Sequence, residues 1–211
     1  MRVLALESSC DETSAAVLHG PADAPVLESL VILSQDVHRI FGGVVPEIAS
    51  REHLAAIVPV ARRALADAGR TLDDIDAIAV THAPGLVGAL LVGVSYAKAL
   101  AAARGIPLLG VHHMEGHLFA TALDHPEATP PFTALLVSGG HTMLIDVAAW
   151  GDYRLLGATR DDAAGEAVDI SRRSPPPATL TASGSPARCS TAGNSRPIPT
   201  TSTSRSADSR R

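Results

Sequence analysis

Short apolar runs at Arg2 to Leu6 and Ser14 to Leu18 flank the polar stretch Glu7-Ser8-Ser9-Cys10-Asp11-Glu12-Thr13. Two apolar runs of strand length joined by a polar turn predict a hairpin, and Val26 to Leu33 extends it to a three-stranded meander. After Gly42-Gly43, Pro46 suits a first helical turn and Glu47 the positive end of the helix dipole. The predicted helix runs to about Ala68, with Ile48, Leu54, Ile57, Val58, Val60, Ala61 and Leu65 as its apolar stripe and Gly69 as its stop. Asp76 to Val80 is a further strand, followed by the turn Thr81-His82-Ala83-Pro84-Gly85. Ile106 to Val111 is a short apolar strand that leads straight into a helix carrying His113 and His117. A second lobe begins at Phe132, with strands at Thr133 to Val137, Met143 to Val147 and Tyr153 to Gly157, and with Ser138-Gly139-Gly140-His141-Thr142 as the turn between the first two.

The helix between the turn at Gly85 and the strand at Ile106 carries Gly85, Ala89, Gly93, Ala97 and Ala101 at four-residue spacing, which leaves one side almost bare. Glycine inside a helix costs roughly 1 kcal/mol relative to alanine, so such a groove is expected to be used. A neighbouring helix can approach along it, either within the fold or from a second subunit.

A chain of 211 residues with 46% hydrophobic content is long enough for one large or two small domains. The net charge of −5 averages two unlike segments. From Ser171 to Arg211 there are seven Arg and one Asp, leaving 10 basic and 21 acidic side chains, a net −11, on the first 170 residues. An acidic body does not attract nucleic acid by itself, so such a substrate needs a local basic patch or a basic partner. The longest apolar run, Gly85 to Ala103, is interrupted by Ser95, Tyr96 and Lys98, and the N-terminus has no leader pattern. A cytoplasmic protein with no membrane segment is expected, and Cys10 and Cys189 make no disulfide framework.

His113 and His117 share a helix face, so two neutral imidazoles can close on one divalent ion. Glu115 projects from the opposite side and is poorly placed as a general base on metal-bound water; the order is not the HExxH of zinc peptidases. Two histidines on a half-exposed helix are also a common surface feature. In the first turn, hydroxyls and backbone N–H groups can donate to phosphate oxygens while Asp11 holds a cation or water, though a plain polar hairpin loop fits the same residues. The Gly-Gly turn of the second lobe answers the first, and two such hairpins facing across a cleft could grip a nucleotide's phosphates.

Six segments in order carry a family resemblance: Leu4 to Thr13, Gly42 to Glu47 with Ala49-Ser50-Arg51, Pro84 to Gly88, His113-Met114-Glu115-Gly116-His117, Val137 to Thr142 and Asp161 to Ala167. Together they resemble the tRNA adenosine threonylcarbamoyltransferase family, once described as a glycoprotein endopeptidase, over residues 1 to about 169. The resemblance implies an α/β actin-like ATPase and sugar-kinase fold, with a first lobe at 1–130, the start of a second at 131–170 and a divergent tail at 171–211. It implies transfer of a threonylcarbamoyl group from threonylcarbamoyl-adenylate to the exocyclic nitrogen of the adenosine beside the tRNA anticodon. His113 and His117 match the family's ligands for one divalent metal ion, iron or zinc. Leu136, Val137, Ser138, Gly139 and Gly140 match its adenylate-binding backbone, Asp169 its ribose carboxylate, and Asp11 and Glu12 its acidic residues at the reacting end. Partner proteins are implied as well, including an inactive paralogue of the same fold, for which the Gly85, Ala89, Gly93 and Ala97 helix is the expected contact.

Past Asp169 the family's pattern, including a late Asp that completes the metal site, is not found. Ser, Thr, Pro and Arg supply 29 of the last 41 residues, a composition that cannot bury a core and fits an out-of-frame reading of a GC-rich gene. The expectation is therefore a transferase by lineage that is truncated or frameshifted after about residue 169 and inactive as written. A non-catalytic subunit of the same complex and a metallopeptidase are the alternatives; the histidine pair argues against the first and the missing HExxH glutamate against the second.

Overall fold

The computed structural model describes residues 1–160 apart from 22, 23 and 126. Asp169, the 161–167 segment, Cys189 and the 171–211 tail lie outside the described residues. The chain divides into two units, one ending at Pro126 and the other starting at Glu127.

In the first unit β1 (Arg2–Glu7), β2 (Glu12–His19) and β3 (Val26–Ser34) form the expected antiparallel meander. β4 (Ala77–Ala83) joins it on the other side of β1 in parallel, and β5 (Leu108–His112) adds parallel to β4. The sheet order is β3-β2-β1-β4-β5, so β1 lies at its centre. Leu4 and Leu6 of β1, Ala15 and Val17 of β2, and Ile78 and Val80 of β4 point into one core with residues of two helices. Burying each large aliphatic side chain of this set contributes roughly 1.5–3 kcal/mol.

Those helices are α1 (Pro46–Asp67) and α2 (Val87–Arg104). Pro46 opens α1 as expected, and its end is a paired 6→1 and 5→2 closure, Arg70 N–H to Leu65 O at 2.8 Å and Gly69 N–H to Ala66 O at 2.9 Å. Gly69 takes φ of 64° there, the left-handed geometry that glycine adopts without steric cost. The buried face of α1 differs from the expected stripe. It consists of Ala49, His53, Ala56, Ile57, Val60, Ala61, Ala64 and Leu65, while Leu54 is exposed and Ile48 and Val58 are half-buried. The reason is His53, a polar side chain that turns inward because both of its ring nitrogens find partners on the β1–β2 turn.

The small-residue stripe of α2 is an internal packing surface, not a contact for a second subunit. Ala89, Gly93, Ala97 and Ala101 are buried in the unit's own core. A Cβ on Gly93 would collide with the Ser8 hydroxyl and lie 3.6 Å from Val80 Cγ2, and one on Gly85 would lie 2.5 Å from the Ser9 carbonyl oxygen. Ser8 Oγ in turn donates to the Ala89 carbonyl at 2.9 Å. By length and composition α2 could cross a membrane, at mean hydropathy 1.3. Its bare side is instead occupied by β1 and β4, while Val87 and Leu91 on the other side are 82% and 62% exposed.

α3 (His113–Asp124) follows β5 without an intervening loop. The described part of the second unit is the antiparallel meander β6 (Phe132–Val137), β7 (Thr142–Ala149) and β8 (Asp152–Ala158). Leu136, Ile145, Val147 and Tyr153 form its buried side.

Candidate metal-binding site

The residues that converge on α3 come from strand ends. β1 and β4 both point their C-terminal ends toward the start of α3, which places Glu7 and Ser9 beside His113, with Thr81 bonded to Glu7. Ligand sites of open α/β sheets form at such carboxyl ends.

His113 and His117 behave as their four-residue spacing requires. Their Nε2 atoms face each other at 3.1 Å, with the rings nearly perpendicular and centroids 4.6 Å apart. Two imidazole nitrogens bound to one tetrahedral zinc at about 2.0–2.1 Å stand roughly 3.3 Å apart, so the pair is already close to a two-ligand geometry. Among the described residues no group of three or more His, Cys, Asp or Glu side chains is placed to hold a metal ion. The two imidazoles therefore fit two corners of a site and leave the remaining corners open.

His113 Nδ1 is engaged from the other side, by Ser9 Oγ at 3.3 Å and Glu7 Oε2 at 3.4 Å. Glu7 is itself fixed, accepting from the Ser9 backbone N–H and the Thr81 hydroxyl. Burial pushes the Glu7 carboxyl up, but hydrogen bonds from His113, Ser9 and Thr81 outweigh it and hold it at about 2. Sequence reading missed Glu7 and Thr81. The signal for Glu7 was a carboxylate at the inner end of a central strand, where an apolar residue is the ordinary choice.

Asp11 and Glu12 sit on the same turn with separate partners. The Asp11 carbonyl accepts from Gln35 N–H at 3.0 Å, and the Glu12 carboxylate accepts from Ser34 Oγ at 3.0 Å. The turn is clamped from α1, where fully buried His53 contacts Thr13 Oγ1 at 2.8 Å and the Cys10 carbonyl at 3.0 Å. The carbonyl can only accept, so Nε2 of His53 carries the proton and Nδ1 accepts from Thr13. His38 plays a similar part in the 3-10 turn at Asp36–Phe41, accepting from Val45 N–H at 3.3 Å and bonding Gln35 Oε1 at 2.8 Å. Partial burial and then the Asp11 carboxylate push the Cys10 thiol up to about 11, which disfavours its thiolate at neutral pH.

In the second unit, Leu136 to Gly140 form the end of β6 and the turn to β7. Ser138 N–H donates to the His141 carbonyl at 2.8 Å, and His141 N–H donates to Ser138 Oγ at 3.1 Å. A Cβ on Gly139 or Gly140 would meet nothing within 4 Å, so neither glycine is demanded by packing within the chain. Smallness there leaves the turn backbone open.

A central β1 flanked by an antiparallel hairpin and two parallel crossover strands, with helices on one face, defines a lobe of the actin-like ATPase and sugar-kinase fold. The chain belongs to the tRNA N6-adenosine threonylcarbamoyltransferase family, whose sequence model matches residues 26–183. It is 72% identical over 169 residues to the tRNA N6-adenosine threonylcarbamoyltransferase of Gemmatimonas aurantiaca, covering 80% of this chain and 47% of the relative. It is 56% identical over 167 residues to that of Clostridium perfringens, covering 79% and 49%. The chain thus spans about half the length of the curated relatives it matches. Among solved structures it is similar to YeaZ from Pseudomonas aeruginosa, at TM-score 0.49 and 20% identity over 75% of this chain and 65% of that one.

Proposed function

We propose that this chain carries the metal-holding part of a threonylcarbamoyltransferase acting on tRNA. The substrates are threonylcarbamoyl-adenylate and the adenosine beside the anticodon. The observation that supports this reading best is the 3.1 Å approach of His113 Nε2 to His117 Nε2 at the strand ends of an actin-like lobe. In the reaction the exocyclic amine attacks the carbamoyl carbon, the bond from that carbon to the phosphate oxygen breaks, AMP leaves, and the amine loses a proton. A divalent ion, Fe(2+) or Zn(2+), held by His113 and His117 would supply Lewis acidity at the carbonyl or phosphate end of the adenylate.

The chain's own residues have separate tasks. Glu7 and Ser9 hold the His113 ring. Asp11 and Glu12 offer carboxylates for the departing proton, on a turn that His53 keeps in shape. Leu136 to Gly140 offer a strand end and an open turn backbone for the adenylate, and Asp169 is the ribose contact that the family pattern supplies. The acidic first 170 residues point to tRNA being brought by partner proteins.

A partner of the same fold is assigned to the outward side of α1 and α2, since the small-residue stripe is occupied internally. Leu54, Ile57, Val58, Leu91, Val92 and Tyr96 line an apolar groove of about 430 Å³ there.

Reacting groups must be held within about an ångström, and a misplacement of that size costs on the order of a hundredfold. With two protein ligands among the described residues, this chain is expected to turn over at least about a hundredfold more slowly than a full-length relative. The test is a modification assay with unmodified tRNA, preformed adenylate and partner proteins. The full-length relative should lose transfer when the histidine matching His113 becomes alanine. Full activity of that variant refutes the metal reading, and comparable activity of the 211-residue chain refutes the assignment of a partial site.

A further inference from the structure

We infer that Glu7 is a positioning residue that sets the tautomer of His113, and through it the order of protons along the histidine pair. Three donors meet the Glu7 carboxylate: Ser9 N–H on Oε1, and the Thr81 hydroxyl and His113 Nδ1 on Oε2. An ionised carboxylate only accepts, so Nδ1 of His113 must carry its proton toward Glu7. Ser9 Oγ, also beside Nδ1 at 3.3 Å, shares that N–H as a second acceptor. The consequence falls on the far side of the ring. Nε2 of His113 is left with a bare lone pair, and the 3.1 Å contact with His117 Nε2 then needs the proton on His117. The chain of donation runs from His117 Nε2–H to His113 Nε2, and from His113 Nδ1–H to Glu7.

That order matters because a metal ion needs the unprotonated nitrogen. A carboxylate behind a metal-bound histidine fixes tautomer and ring orientation, and losing such a partner ordinarily lowers metal affinity 10- to 100-fold. Glu7 suits the task because the β1 strand end and Thr81 of β4 hold it independently of α3. The sequence separation of 106 between Glu7 and His113 makes the contact a product of the fold alone.

The isosteric variant Glu7→Gln gives a sharp reversal. Ser9 N–H keeps the amide oxygen on its side, which turns the amide NH2 toward Thr81 and His113. Both must then accept, so Nδ1 of His113 loses its proton and Nε2 gains one. Shape and volume are unchanged, while His113 Nε2 can be freed for a metal only by turning Nδ1–H against the amide NH2.

The experiment is long-range 1H–15N NMR of the imidazoles in the metal-free 211-residue chain and in Glu7→Gln, with zinc titration of each. The unaltered chain should show His113 protonated at Nδ1 and His117 at Nε2. Glu7→Gln should show both reversed and zinc affinity 10- to 100-fold lower, at an unchanged fold. The tautomer arm stands without any metal, whereas the affinity arm rests on the metal reading above. An unaltered chain with the Nδ1–H tautomer that binds no zinc would sink the metal reading and support the positioning role. His113 protonated at Nε2 in the unaltered chain overturns the inference even should the variant fail to fold. So does a folded Glu7→Gln with unreversed tautomers.

Discussion

His53 and Thr13 meet at 2.8 Å inside the first unit, joining the middle of α1 to the turn that carries Asp11 and Glu12. The same ring reaches the Cys10 carbonyl at 3.0 Å, so one buried side chain fixes the second half of the turn. Replacing His53 by leucine keeps the volume roughly and removes both partners. Each buried group left unpaired costs about 1–3 kcal/mol, so Leu should lower stability by an amount in that range or above. Urea unfolding measures it, and hydrogen exchange at Glu12 and Thr13 should quicken as well. An unchanged midpoint would mean that the turn holds itself.

Ala97 is fully buried against the unit's own core, and Leu91 on the other side of α2 is 62% exposed. The two positions separate internal packing from partner contact. Ala97→Leu overpacks the core and should cost about 1–3 kcal/mol with no change in oligomeric state. Leu91→Asp, an exposed change, should move stability by no more than about 0.5 kcal/mol yet weaken capture of a same-fold partner in light-scattering titrations. If Ala97→Leu abolishes partner binding at full stability, the assignment of faces is reversed.

Much of this layout is readable along the chain. Pro46 and Gly69 bracket α1, the polar turns separate strand-length apolar runs, and the spacing of His113 and His117 puts them on one face. What escapes is whatever depends on residues far apart in sequence. Sequence periodicity sees neighbours one turn or two residues away, and Glu7 meets His113 only because β4 lies parallel to β1 and β5 parallel to β4. The α1 stripe keeps Ile57, Val60, Ala61 and Leu65 as expected but departs at Leu54 for a related reason. His53 is polar by type, so hydrophobic patterning assigned its face to solvent and favoured Leu54, whereas two hydrogen bonds from a distant turn make the histidine the buried member. The stripe on α2 is visible as a groove, but what fills it at Gly93 is Ser8, just past β1, with Val80 of β4, which no spacing rule indicates.

Glu28 gives a pH signature. It accepts from Arg2 Nε at 2.9 Å and Arg70 Nη2 at 3.0 Å, with His19 Nδ1 at 3.3 Å, tying β3 to β1, β2 and the end of α1. The Arg2 guanidinium first and Arg70 second hold its carboxyl at about 2, against an ordinary 4.5. Because the folded value lies below the unfolded one, the unfolded chain binds the proton first as pH falls. The stabilisation is complete above pH 4.5 and is lost progressively toward pH 2. Glu7 titrates over the same window, so the unaltered chain alone does not isolate Glu28. The gap in melting temperature between it and Glu28→Gln does. That gap should be constant from pH 7 to about 5 and narrow below 4.5. A gap that widens on acidification would show that the arginine contacts do not hold the carboxylate charged.

The last prediction concerns metal on the unaltered chain. His113 and His117 present converging nitrogens, and the described residues add no third ligand of the His, Cys, Asp or Glu type. Binding of zinc or iron(II) should therefore be weak and completed by water, since protein sites of high affinity commonly supply three or four ligands. Neutral imidazole is the binding form, so affinity should fall on acidification. Calorimetric titration should show His113→Ala and His117→Ala each losing most of the binding. His112→Ala and His141→Ala serve as controls, one next to the pair on β5 and the other in the turn after β6. Burial, and then the neighbouring His82, push the His112 imidazole down from its ordinary value, which makes it a fair competitor for the ion. Should either control weaken binding more than His113→Ala or His117→Ala, the ion sits elsewhere and the 3.1 Å approach of the two rings is a bond between histidines only.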